Sequence, residues 1–136
     1  MPSFPSDPDS WTESLTPTEG AWDNAVLDST FFQKGSFSLH DGPSGNYLGF
    51  KFNHPLNITA WNKFLCLIAS EGTYDPYVVI SFRDANRNFM SRRLYVPSIK
   101  VFQAFELDLG AGWDIDPFFD PTNVVGFGFA DFGNTI

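Results

Sequence analysis

Thiols, imidazoles and positive charge are all scarce in this chain. It has one cysteine and two histidines among 136 residues. A single Cys66 allows no disulfide within the chain. Its setting, Phe64-Leu65-Cys66-Leu67-Ile68, reads as a small buried hydrophobe rather than a reactive thiolate. One cysteine with His40 and His54 far apart in sequence excludes a zinc site of the usual kind. The same shortage argues against catalysis by a nucleophile, base and orienting group, and the pattern G-x-S-x-G is absent. Gly126 and Gly128 sit within a strand pattern, so no glycine-rich phosphate loop is found. The chain is therefore read as not an enzyme.

Lysine and arginine total eight against sixteen acids, a net charge of −8. An acidic chain gains nothing from releasing phosphate counterions, which argues against nucleic-acid partners and anionic membrane surfaces. The plain reading of the charge is solubility. No apolar run reaches membrane-spanning length, and residues 1–10 lack the basic and apolar regions of a signal peptide. The expected location is cytoplasm or virion if the chain is full length, and extracellular if it is excised from a longer secreted protein.

Aromatic side chains are plentiful. They make up 18% of the chain, with sixteen Phe, and hydrophobic residues reach 43%. Aromatic and β-branched residues favour strands, and eleven Gly with ten Pro supply turns between them. The length suits one domain. Pro2, Pro5 and Pro8 forbid a helix at the start, so residues 1–10 read as an extended Pro-rich arm and residues 11–136 as a single domain.

Period-two alternation marks the strands. Early strand material is expected at Trp11–Leu15 and around Ala25-Val26-Leu27. Gly35–Asp41 alternates, with Phe37 and Leu39 on one face. Tyr47–Phe52 continues after the turn Gly42-Pro43-Ser44-Gly45-Asn46, with Leu48, Phe50 and Phe52 opposite Tyr47 and Lys51. Phe64–Ala69 is apolar on both faces, which predicts a central place in a sheet. Tyr77–Asp84 and Phe89–Val96 are joined by the short Ala85-Asn86-Arg87-Asn88 and read as a hairpin. Phe102–Leu109, a long loop over 110–123, and Val124–Phe132 complete the series. Eight or nine alternating strands bury best as an all-β, two-sheet antiparallel sandwich, and a jelly roll is favoured because no Cys–Trp–Cys pattern is present.

Five segments carry a resemblance: Asp28 with Lys34-Gly35-Ser36-Phe37-Ser38-Leu39, Leu56–Leu67, Val78–Asp84, Gln103–Leu109, and Asn123–Phe129. Their order resembles the galactose-binding-like jelly roll of many carbohydrate-binding modules over about residues 25–130. The resemblance implies a non-catalytic, glycan-binding fold. That family usually ends with a further strand carrying an acidic pair, which has no counterpart after Phe132. The first strands or a partner would fill that place, or the sequence is truncated. The family's structural calcium would then retain Asp28 and the backbone near Lys34-Gly35.

The residues themselves offer two candidate groupings. Tyr77, Arg83, Arg92 and Glu106 are read as outward residues on neighbouring strands, and with Trp113 in the long loop they form the candidate ligand site. Arg83, Arg87, Arg92 and Arg93 are half of all the bases; an edge-protecting charged hairpin is the plainer reading of them. Glu106 and Asp108 share a row, as a solvated face or a binding face would have them. Asp114, Asp116 and Asp120 form the densest acidic cluster, a candidate calcium site, although Phe118 and Phe119 break EF-hand spacing. Loop-capping carboxylates are the alternative reading. Calcium is the one cofactor left open; otherwise none is implied.

Two functions fit. One is a carbohydrate-binding module that recognises glycan through a sheet face or loop aromatics. The other is a structural or decoration (cement) protein on a viral capsid or similar assembly, holding protein neighbours through its arm, open edge and loops.

Overall fold

The computed structural model describes residues 15–16, 20–30, 38–41, 47–69, 77–96 and 101–130. The side chains of Asp28, Ser38, His40 and Asp41 lie outside that description. So do the arm over 1–10, most of the expected strand Trp11–Leu15, and Lys34–Phe37.

The described residues form ten strands and no helix. They are β1 (Gly20–Asp23), β2 (Ala25–Asp28), β3 (Ser38–Asp41), β4 (Tyr47–Leu56), β5 (Lys63–Ile68), β6 (Tyr77–Asp84), β7 (Phe89–Tyr95), β8 (Gln103–Asp108), β9 (Asp114–Ile115) and β10 (Val124–Ala130). No helix is thus long and apolar enough to cross a membrane. Every pairing is antiparallel. Six strands make one sheet in the order β1-β4-β10-β6-β7-β9, while β5 pairs with β8 and β2 with β3. The molecule is an all-β sandwich, with the β5–β8 pair packed over the six-stranded sheet.

Phenylalanine builds the interface between the layers. Phe127 on the central strand β10 stacks on Phe50 at 5.5 Å and meets Phe64 of the opposite layer edge-on at 5.4 Å. Phe64 also meets Phe82, which is fully buried, at 5.5 Å. Beside this cluster, Leu107 of β8 packs with Ile80, Leu94 and Val96. Offset and edge-on ring pairs add to the gain from burying large apolar surfaces, which accounts for the high Phe content.

The strand β10 reads Val-Val-Gly-Phe-Gly-Phe-Ala and alternates rings inward with glycines outward. The glycines are required by close approach. A Cβ on Gly126 would stand 2.3 Å from the carbonyl oxygen of Phe50. The register also shifts there, between Val124 and Gly126, as at a bulge.

The structure changes two expectations and adds the place of the final strand. The segment Phe64–Ala69 is not central in a broad sheet. Among the described residues β5 pairs with β8 alone, and its outer face leaves Leu65 69% and Leu67 37% exposed. The long loop contains the short strand β9, which pairs with β7 at Met90↔Ile115 and Ser91↔Asp114. The final strand lies in the middle of the sheet, between β4 and β6, and β1 takes the edge beside β4.

Candidate functional site

The outer face of the six-stranded sheet can be read row by row from the register. The first row is Ala21, Lys51, Gly126, Arg83 and Phe89. The second is Asp23, Gly49, Gly128, Ser81, Ser91 and Asp114. The third is Tyr47, Ala130, Val79 and Arg93, and the fourth is Tyr77 with Tyr95. Small side chains therefore occupy the middle, and large aromatic or basic ones surround them. Tyr47, Tyr77, Phe89 and Tyr95 are 36–53% exposed. Lys51, Arg83 and Arg93 are exposed as well.

At one end Tyr77 and Tyr95 lie directly opposite each other with ring centroids 5.3 Å apart. The Arg93 guanidinium sits 4.6 Å from the Tyr77 ring centre, a cation–π geometry that steadies the ring. From Tyr77 to Arg83 along β6 the face runs roughly 20 Å, at about 3.4 Å per residue. Beside Val79, Ser91 and Arg93 the face opens into a hollow of about 400 Å³, completed by Arg92, Gly112, Trp113 and Asp114. It lies beside the start of β9, next to Gly112 and Trp113, which precede the strand.

The residues expected to converge do so only in part. Tyr77 and Arg83 share this face. Arg92 does not: it pairs with Ile80, which is fully buried, so it starts from the core-facing side. The half-buried Arg92 extends from that edge and donates to the Ala111 carbonyl at 3.3 Å. Its guanidinium would lie 2.9 Å from a Cβ on Gly112, and it is the φ of +85° at Gly112 that calls for glycine. Glu106 is on the opposite side of the molecule. It pairs with Leu65 on the outer face of the β5–β8 layer and forms an ion pair with Lys63. The hydrogen bond to Glu106, then its charge, raise the Lys63 pKa above its ordinary value. Trp113 is a core lid. Its ring meets Phe82 edge-on at 5.7 Å, and its Nε1 donates to the Asp108 carbonyl at 2.7 Å.

The acidic cluster resolves into separate roles. Asp114 pairs with Ser91 at the edge of the outer face. The Asp116 Oδ1 accepts from the Phe118 backbone N–H at 3.1 Å. The Asp120 Oδ1 accepts from the Thr122 N–H at 3.0 Å and from its hydroxyl at 2.6 Å. Both are side-chain turns of the kind Asp commonly makes. Among the described residues no three His, Cys, Asp or Glu side chains are grouped to hold a metal. Asp28 ends β2, paired with Ser38; its side chain lies outside the description.

Sequence reasoning missed Asp84, the one buried charged residue named among the described residues, at 1% exposure. Its Oδ1 accepts from the N–H groups of Asn86 at 2.9 Å and Asn88 at 2.8 Å. Its Oδ2 accepts from the Asp120 N–H at 2.8 Å and the Asn88 side-chain amide at 3.3 Å. Burial alone pushes this carboxyl up, but the N–H groups of Asn88 and Asp120 lead a set of donors that outweighs it, so its pKa lies below the ordinary value. Asp84 thereby ties the β6–β7 turn to the loop after β9. It is a structural hub. Burial likewise raises the Cys66 thiol to about 12, leaving it protonated and unreactive near neutral pH.

Tyr47, Lys51 and Tyr95 also lie on this face and are not among the residues expected from sequence. Strand parity carried across the hairpin would have found Tyr95 and would have put Arg93 on the face in place of Arg92. Compared with known proteins, the sequence matches no family model and no curated protein.

Proposed function

We propose that this chain is a non-catalytic binding module of the carbohydrate-binding type, with glycan lying along the outer face of the six-stranded sheet. One observation carries the reading. Exposed Tyr47, Tyr77, Phe89 and Tyr95 surround a floor of Gly49, Gly126, Gly128, Ala130, Ser81 and Ser91. Aromatic rings offer flat apolar surfaces to sugar C–H patches. The serine hydroxyls and the nearby cations can hydrogen-bond sugar hydroxyls. The floor lets rings approach the sheet closely. The jelly-roll resemblance supports the same reading, since the chain repeatedly crosses between layers: from β4 to β5, β5 to β6, β7 to β8, and β8 to β9.

Affinity gels containing a panel of polysaccharides test the proposal. Retention by at least one of them, weakened roughly tenfold or more in Tyr77→Ala and Tyr95→Ala, is the expected result, since base–aromatic contacts of comparable area are worth about 1–3 kcal/mol. Unretarded migration in every gel would remove the proposal.

A second reading, a structural or decoration protein in a larger assembly, is favoured by two other side chains. Leu65 on β5 is 69% exposed and Phe118 in the loop after β9 is 81% exposed. Contiguous exposed apolar patches mark protein contacts, and these two are the most exposed large hydrophobic side chains among the described residues. Light scattering coupled to size-exclusion chromatography separates the readings: self-association abolished by Leu65→Ser supports an assembly role, whereas a strict monomer counts against it.

A further inference from the structure

The distribution of charge on the proposed binding face is unlike that of the chain. The protein has sixteen acids and eight bases. Yet β4, β10, β6 and β7 together contain one acid, Asp84, which is buried. On their outer side the same strands present Lys51, Arg83 and Arg93. Among the described residues, acids reach this face at its edges: Asp23 on β1, Asp114 on β9, and Asp116 just after β9, whose N–H donates to the Phe89 carbonyl at 2.9 Å. The central part of the face is thus cationic on an anionic molecule.

Two of these cations are placed as a pair. Lys51 and Arg83 are the register partners of Gly126 on either side. Adjacent strands are about 4.8 Å apart, so the two backbones stand roughly 10 Å from one another. Gly126 brings no side chain between them, and the close approach of the Phe50 carbonyl prevents it from having one. Two long side chains across such a gap can converge on a single anionic group. Among the described residues the ion pair of the structure is Lys63–Glu106, on the opposite layer.

We infer that the glycan bound here is acidic, a chain of sugars carrying carboxylates, with a carboxylate held between Lys51 and Arg83 above Gly126. The inference rests on the binding proposal above and specifies its ligand class. Arginine recognises a carboxylate through paired N–H donors, and lysine adds a mobile point charge. Tyr77 and Tyr95 then supply the ring-stacking end and the Gly126 row the charge-reading end.

The test is calorimetric titration of the full chain with oligouronates of several sugar types, each paired with its methyl ester. The ester removes the charge and keeps the sugar. For at least one sugar the acid form should bind roughly tenfold tighter than its ester, as expected for a charge-assisted contact. Raising the salt concentration should narrow that gap. The double variant Lys51→Gln, Arg83→Gln should bind acid and ester alike, while Tyr77→Ala should weaken both. Esters or neutral glycans binding as tightly as the acids would overturn this inference and leave the binding proposal standing. No heat change with any acidic or neutral glycan would overturn both. Circular dichroism of each variant separates a lost contact from a lost fold.

Discussion

Asp84 shows how one side chain can organise a turn and a distant loop together. Its carboxylate is buried and accepts from Asn86, Asn88 and Asp120. Its pKa in the folded state lies below the ordinary value. The contribution to stability is therefore full above the unfolded value, about pH 4, and is lost as pH falls through the lower folded value. Asp84→Asn keeps the shape and removes the charge. It should lower the melting temperature at pH 7 by about 5 °C or more, with the difference from wild type shrinking as pH falls below the unfolded value. Thermal unfolding followed by circular dichroism across pH 2–7 would show this; parallel curves at all pH values would refute it. At Phe82, which is fully buried between Phe64, Trp113 and Phe127, truncation to Ala should cost about 3–5 kcal/mol in urea unfolding.

At the scale of elements, alternation was the most legible signal. Leu48, Phe50 and Phe52 face inward as their spacing requires, and the hairpin β6–β7 closes where Ala85–Asn88 mark a turn. Arg87 takes the left-handed conformation in that turn, at φ 64°, and so belongs to the turn rather than to a strand face. Arg92 was misplaced because charge was read without parity: Arg83 faces out, its partner is Phe89, and only odd-numbered residues of β7 follow. Glu106 was misplaced for a different reason. Which layer a strand joins depends on long-range pairing, and a local pattern does not contain it. The apolar run of β5 misled in the same way. Its Leu65 looks like core in sequence but faces water. The expected consequence is that Leu65→Ser changes the urea midpoint little, whereas Leu107→Ser, in the β8 core row, lowers it substantially. Equal losses at both positions would mean that the outer face of β5 is covered.

The molecule as a whole separates its two surfaces by chemistry. One layer's outer face carries Lys63, Leu65 and Glu106, an ion pair beside an exposed leucine. The six-stranded sheet presents tyrosines and cations around glycine and serine. Composition alone marked the chain as an acidic, aromatic β protein. It did not show that the acids are excluded from the outer side of four adjacent strands, because that depends on which strands are neighbours. The central claim is that this face is the binding surface. The most direct check is an NMR titration of the labelled chain with a glycan retained in the affinity gels, following backbone amide shifts. The account predicts the largest changes along β4, β10, β6 and β7, at Lys51, Gly126, Ser81, Arg83 and Tyr95. Changes confined to β5 and β8 or to the loop at Trp113–Phe119, with the six-stranded sheet silent, would contradict it.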